Sequence, residues 1–475
     1  MSSTAPRVTV REVRLSERDV RLRLPFRFGV VTLTESPQAF VHVRVAGEDG
    51  REAWGMAAEM LAAKWFDKNL ALTNEDNFAQ LRASLRLCAD HYLADRAPRT
   101  AYALSAAHAR EQVAACAAKQ LNPLIAAYGP ALIDRAVLDA VCRMHGVSFF
   151  DAMRANLPGM APADQAPDLA GFDFDAFLAG LAPLASLHAR HTVGLVDPIT
   201  AADQPGGARV NDGLPETLED VVTEYGHTYF KLKVAGDVRA DLARLTAIAA
   251  VLDRADAPYH ATLDGNEQYA SLDGITELWT AMERAPALRR LVASTLFIEQ
   301  PIARSTALAC DVTALSARRP VIIDESDAEL GSFPLARTRG YRGVSSKSCK
   351  GFYKSLVNAA RCVRWNTEVG ARTYFMSAED LTTQAGVSVQ QDLALVALLG
   401  LGHVERNGHH YVNGMAALPV AEQQAFLKAH PDLYARTAGA VRLRILEGRL
   451  AVGSLACPGF GSAAEPDWAT MRPMS

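Results

Sequence analysis

The sequence predicts an α/β protein built on a parallel βα barrel, and three observations carry that reading. Short apolar runs recur, each ending on carboxylates or lysines: YFKLKVAGD (229–237), HATLDGNEQY (260–269), LFIEQPI (296–302), VIIDES (321–326) and GVSSKSCKG (343–351). Segments of helical periodicity separate them, such as the face of Asp241, Leu242, Leu245, Ile248, Ala249 and Leu252 and the next of Ile275, Leu278, Trp279 and Met282. The steps from Lys233 to Asp264, Glu299, Asp324 and Lys347 are 31, 35, 25 and 23 residues, a spacing that suits successive strand–helix units. In a TIM-type barrel the C-terminal ends of the strands converge on one mouth. Three carboxylates and their flanking lysines would therefore meet there.

The remaining elements follow in chain order. Residues 7–58 read as antiparallel strands: Val8, Val10 and Val13, then Val20, Leu22 and Leu24, alternate with polar residues, and VHVRVAGEDGREAWG has a Gly-Asp-rich turn at its centre. Residues 61–157 are helical by pattern, with AYALSAAHAREQVAACAAKQ a long amphipathic candidate; Trp65 and Phe66 read here as packing residues. PGMAPADQAPDLAG (158–171) is rich in Pro, Ala and Gly and reads as a linker. A further helix leads to HTVGLVD (191–197) as the first barrel strand. After Gly351 comes the helix LVNAARCVRWNTEVG, then RTYFMSAEDL (372–381) in the seventh-strand place and GHVERN within the eighth-strand region.

Composition narrows the function classes. Charged residues are 21% and apolar ones 49%, the balance of a globular protein, and 475 residues suit two domains better than one core. Lys and Arg number 49 against 53 Asp and Glu, a net charge of −4, so no basic footprint points to nucleic acid or anionic lipid. No apolar stretch reaches the roughly 18 residues of a membrane span, and MSSTAPRVTVREVRL lacks the apolar core of a leader, so a cytoplasmic enzyme is expected. The seven cysteines show no metal-binding spacing, and Cys349, with no histidine near it in sequence, reads as an inert thiol.

The strand ends resemble the enolase superfamily, in its branch of mandelate racemase and muconate lactonising enzyme. That branch has Lys-x-Lys on the second barrel strand, matched by Lys231 and Lys233, and Asp-x-Asn on the third, matched by Asp264 and Asn266. The fourth carries Glu, often as Glu-Gln-Pro, matched by Glu299, Gln300 and Pro301; the fifth carries Asp-Glu-Ser, matched by Asp324, Glu325 and Ser326. The sixth often has Lys-x-x-Lys before Gly, matched by Lys347, Lys350 and Gly351, with the first lysine the catalytic one. The resemblance implies a (β/α)7β barrel with an α+β N-terminal capping domain completed by the C-terminal segment. It divides the chain into a capping domain with lead-in helices (1–157), a linker or insertion (158–190), the barrel (191–410) and a C-terminal segment (411–475) packed on the cap. PFRFGVVTLTE (25–35) and GMAAEM (55–60) match the two capping loops that close over the mouth, and Arg27 could bind an anionic substrate group there. The resemblance also implies a homo-oligomer.

The chemistry follows from the charges. Asp264, Glu299 and Asp324 at one mouth would repel one another if ionised and dry, and a divalent cation removes the conflict. A carboxylate-only ligand set suits Mg²⁺ better than zinc, and Mn²⁺ is compatible. Glu325, with Asn266, is placed beside this set rather than in it. Metal and lysines together suggest abstraction of the proton next to a carboxylate in a small substrate, to an enediolate stabilised by the cation. A lysine base needs its pKa lowered from about 10.4 to roughly 7–8, and Lys231 is placed to tune Lys233 in that way. Lys347 would serve the opposite face, while strand alternation points Lys350 away. The expected enzyme is an isomerase or lyase: a racemase or epimerase first, with a dehydratase (as in o-succinylbenzoate synthase) or cycloisomerase second. Dipeptide epimerases of the family carry Asp-x-Asp at the eighth strand, which GHVERNGHH lacks, and mandelate-racemase-like members carry a seventh-strand His, which TYFMSAED lacks. A third reading is a binding protein on a retired enzyme scaffold.

Overall fold

A computed structural model describes residues 5–204, 209–255 and 257–474; of the N-terminal stretch read as lacking a leader, residues 1–4 lie outside the described residues. The strands Val8–Phe28, Val31–Gly47 and Glu52–Met60 form an antiparallel sheet, as their alternation predicts. The short strand Arg472–Pro473 joins its edge, so the C-terminal segment completes the cap. Against this sheet pack the helices Asn74–Ala94 and Pro123–His145, and Ala101–Ala118 packs on those two. Pro123–His145 has a local reason at both ends: the Asn122 side chain accepts from Leu124 N and Ile125 N, and Gly146 closes it in the left-handed conformation. Gly55 lets helix and sheet meet, since a Cβ there would lie 2.2 Å from Ala136 O.

Eight parallel strands form the barrel: Ser186–Val193, Tyr229–Lys233, His260–Asp264, Thr295–Glu299, Val321–Ile323, Gly343–Ser346, Phe375–Ala378 and His403–Arg406. They are called strands one to eight below. Each connection carries at least one helix, and strand eight pairs back onto strand one, His403 opposite His188, which closes the barrel. Strand one ends earlier than expected. Gly194 N donates to Asp197 Oδ2 at 2.6 Å, and this turn stops the strand at Val193, so it runs from Ser186 rather than through 191–197. The strand Arg449–Ala451 pairs antiparallel with the start of strand one, tying the C-terminal segment to the barrel as well as to the cap. Among the described residues no helix is long and apolar enough to cross a membrane.

Candidate active site

Parallel register sets the site. Lys233 lies opposite Asp264, and Asp264 opposite Glu299, so strands two, three and four end abreast. Asp324 follows strand five directly, and Lys347 follows strand six. All five are buried. The mouth is buried and densely charged, so each group is defined by its partner.

Lys231 is the hub. Its Nζ lies 2.9 Å from Asp264 Oδ2, 2.8 Å from Glu299 Oε2, 2.7 Å from Glu379 Oε2 and 3.0 Å from Glu405 Oε2. Burial opposes its charge, and the four carboxylates more than reverse that, holding its pKa well above the ordinary lysine value. They also offset much of the field with which Lys231 was expected to tune Lys233. Glu379 and Glu405, just past strand seven and on strand eight, were missed in the sequence. The signal was there, since each follows the same kind of apolar run as the other strand-end acids. Arg190, on strand one, pairs with Glu379, and Thr192 Oγ1 donates to Glu405 Oε1 at 2.7 Å.

The two remaining lysines each hold one acid. Lys233 Nζ donates to Asp264 Oδ2 at 2.5 Å, and Lys347 Nζ to Asp324 Oδ2 at 2.6 Å. Burial works against the Lys347 charge, yet Asp324 raises its pKa above the ordinary value. Burial favours the neutral form of Asp324, but Lys347 and Lys350 hold it well below the usual carboxylate range. Glu299 goes the other way: burial, Asp264 and Glu379 push it well up. Neither Glu299 oxygen accepts a hydrogen bond from the described residues.

Glu299, ion-paired with Lys231 through Oε2 and with Oε1 buried and unpartnered, is the carboxylate that fits a further cation. Asp264, Glu299 and Asp324 offer only oxygen, the donor set of Mg²⁺ or Mn²⁺. Their oxygens are not gathered within 4.8 Å of one another here. Instead all three are engaged by ammonium groups, and Glu299 Oε1 is left buried for a further positive charge.

The cap covers the mouth from two places. Phe26, Phe28 and Leu33 come from the first hairpin, whose tip turns at Gly29 with φ +51°. Trp65 comes from the segment after the third cap strand and lies 4.2 Å, ring centroid to Nζ, from Lys347. Arg304 holds that segment by donating to Trp65 O at 2.7 Å and Phe66 O at 2.9 Å, and Lys68 donates to Asn266 O at 2.6 Å. The narrow pocket between them thus has apolar cap walls and a charged floor that includes Lys233, Lys347 and Glu405.

The family described as enolase C-terminal domain-like matches residues 213–467, more than half of the chain. The chain belongs to the enolase superfamily. It is accordingly an enzyme of the isomerase and lyase kinds found there. No curated protein matches it in sequence. Solved structures share the fold of this enolase-superfamily enzyme at low identity. The substrate-liganded L-Ala-D/L-Glu epimerase of Bacillus subtilis is 14% identical with a TM-score of 0.59, over 96% of this chain and 99% of that one. The Cytophaga hutchinsonii dipeptide epimerase, complexed with Mg and D-Ala-L-Val, is 13% identical with a TM-score of 0.60, over 98% and 99%. The Pseudomonas fluorescens muconate lactonizing enzyme, complexed with muconolactone, is 19% identical with a TM-score of 0.57, over 97% and 98%.

Within this enolase-superfamily enzyme some placements differ from expectation, and those of Glu325 and Cys349 agree with it. Arg27 is exposed, because alternation that turns Phe26 and Phe28 into the pocket turns Arg27 out. GMAAEM is the end of a cap strand; its last residue, Met60, lines the pocket, and Ala62 and Trp65 after it continue the cover. Trp65 packs, as expected, but it packs on Lys347 and so walls the site. Glu325 accepts from Asn266 Nδ2 at 2.7 Å, beside the acid trio. Cys349 is buried, and burial raises its thiol pKa well above the ordinary value.

Lys350 does not point away. Strand six ends at Ser346, and Ser348–Lys350 form a 3₁₀ turn, so strand alternation no longer applies. The turn brings Lys350 Nζ back to Ser345 Oγ at 2.7 Å, Asp324 Oδ1 at 3.3 Å and Asp327 Oδ2 at 3.3 Å. Lys350→Met should therefore free Asp324 and lower turnover by roughly 10-fold or more, since about 1.4 kcal/mol of misplacement suffices for that. Wild-type turnover in this variant would show that Asp324 is held without it.

Proposed function

We propose that this enzyme abstracts the proton next to the carboxylate of a small substrate and returns it on the other face, as a racemase or epimerase. The observation that supports the reading best is that Lys233 and Lys347, from strands two and six, line one pocket. Asp264, Glu299 and Asp324 would hold Mg²⁺ or Mn²⁺. Bound there, the cation supplies charge to offset the negative charge that develops on the substrate carboxylate. Lys233 takes or delivers the proton from one side and Lys347 from the other. Phe26, Phe28, Leu33 and Trp65 exclude water and suit a substrate whose remainder is apolar.

A second reading rests on Lys347 itself. Bonded to Asp324 and packed on the Trp65 ring, it is held as a fixed cation. In a dehydratase or cycloisomerase it would stabilise charge while Lys233 alone moves the proton.

The test is solvent deuterium incorporation in D₂O with Mg²⁺, across libraries of acid sugars, amino-acid derivatives and lactones. Exchange at the carbon next to the carboxylate is expected even where net turnover is slow. In parallel, Asp264→Asn, Glu299→Gln and Asp324→Asn should each weaken Mg²⁺ binding by calorimetry, with the circular dichroism of the fold retained. Unaltered affinity in all three variants would remove the metal assignment.

A further inference from the structure

Strand one carries a second convergence of side chains, on its outer face. Arg190 and Thr192 point into the barrel, where they bond Glu379 and Glu405, so alternation turns His191 outward. There it meets His227, in the turn leading to strand two, and His409, in the short helix Gly408–Tyr411 after strand eight. Each offers a ring nitrogen within 4.8 Å of the others, and among the described residues this is the one group of three metal-ligand side chains so gathered. His191 and His227 are only 2% and 4% exposed, and His409 is partly buried.

Three features separate the group from imidazoles that merely pack. His227 Nδ1 donates to Ala189 O at 2.8 Å, which fixes the tautomer and leaves Nε2 a lone pair. That Nε2 is buried without a hydrogen-bond partner. Histidines that ligate metals are ordinarily oriented by such an N–H to carbonyl bond. Next, His191 Nδ1 and His409 Nε2 lie 3.4 Å apart, long for a hydrogen bond. With metal–nitrogen bonds of about 2.0–2.1 Å, the edge of a tetrahedral site is about 3.3–3.4 Å. Finally, two of the nearby cations are already neutralised: Arg23 pairs with Asp212 at 2.6 Å, and Arg406 with Asp380 at 3.5 Å and with Asp392, while Arg442 is turned to the oxygens of Thr437 and Asn413. Burial, and the crowding of one imidazole by another, keeps the three rings in the neutral form that binds metal; the His227 pKa falls to about 4.

We propose that His191, His227 and His409 form a second metal site, distinct from the acidic mouth, for a nitrogen-preferring divalent cation of the zinc class. Three neutral imidazoles select zinc or cobalt over magnesium. A narrow pocket bordered by Tyr225, Gly408, His409 and Arg442 reaches the group at His409 and gives an ion a way in. The ligands come from strand one, the turn into strand two and the helix after strand eight. The bound ion would therefore staple the seam where strand eight closes on strand one. It would add stability because only the folded chain assembles the three ligands.

Cobalt is the probe, added to the full chain in saturating Mg²⁺ so that the acidic mouth is occupied. The wild type should bind a single equivalent with the visible absorption of four-coordinate Co²⁺, lose that colour to Zn²⁺, and unfold at higher temperature with either ion. His409→Gln should lose both the colour and the thermal shift, and Asp324→Asn should keep them. X-ray absorption on the cobalt-loaded wild type should find three imidazole nitrogens, which decides the matter if the variant does not fold. No colour in the wild type, colour that survives His409→Gln, colour lost in Asp324→Asn, or an all-oxygen shell would each overturn the site.

Discussion

Lys231→Met is expected to cost about 3–5 kcal/mol of folding stability at neutral pH, the usual range when one partner of a buried ionic cluster is removed. The reason is the convergence of acids from strands three, four, seven and eight on one ammonium group, which is the one cation paired with Glu299 among the described residues. Without Lys231, Asp264 keeps Lys233 and Glu379 keeps Arg190, but Glu299 and Glu405 must either stay charged without a cation or take up protons. The pH dependence follows with its sign. Burial alone would raise Asp264 and Glu405, but Lys231 and Lys233 hold both below the ordinary carboxylate value. Their contribution is thus present above about pH 4, the unfolded value, and lost as pH falls through the lower folded one. Glu299, raised by burial and by Asp264 and Glu379, works in the opposite direction and softens the slope. The gap between wild type and variant should be widest near neutrality and narrow in acid. Urea unfolding across that range, with and without Mg²⁺, reads it directly. A loss below about 1 kcal/mol, the level of an exposed pair, would mean that the cluster is not held by Lys231.

The barrel was legible because each of strands two to six is an apolar run that ends on a charged residue. A buried strand must place such residues at its mouth, so the sequence pattern and the geometry are two views of one constraint. Lys231, Lys233, Asp264, Glu299, Asp324 and Lys347 were found on that basis, and the structure gathers them. Glu379 and Glu405 obey the same rule. They were passed over because the search at strands seven and eight was for a histidine and for Asp-x-Asp, motifs of particular relatives, rather than for any charge at the end of a strand. Lys350 was misplaced because alternation was carried past Ser346 into a 3₁₀ turn, where it has no force. Arg27 and Trp65 depended on how the cap folds over the mouth, which no periodicity within the barrel encodes. The histidine cluster was invisible for a similar reason: its members share no spacing and meet only when strand eight closes on strand one.

Replacing the two pocket lysines one at a time should separate the reaction types, with losses of roughly 10²–10⁴-fold, the range for a positioned acid or base. In a racemase or epimerase each lysine serves one face of the substrate. Lys233→Ala should then stop deuterium exchange from one stereoisomer, and Lys347→Ala from the other, since each variant leaves the opposite base standing. In a dehydratase or cycloisomerase only Lys233→Ala should abolish exchange. Lys347→Ala would then remove a fixed cation and slow the reaction by about 10²–10³-fold, comparable with loss of an oxyanion donor. The structure makes the experiment sharp, because the two lysines hold different acids: Lys233 is bonded to Asp264, and Lys347 to Asp324. Each substitution therefore also unpairs one proposed metal ligand, and Mg²⁺ affinity must be measured beside exchange to divide the two effects. Lys347→Arg supplies the control, keeping a cation near Asp324 and Trp65 while removing a base that can titrate. If Lys347→Arg restores exchange of both stereoisomers, Lys347 acts as a cation and the racemase reading falls. If exchange from one face stays lost while Mg²⁺ affinity returns, the proton on that face belongs to Lys347.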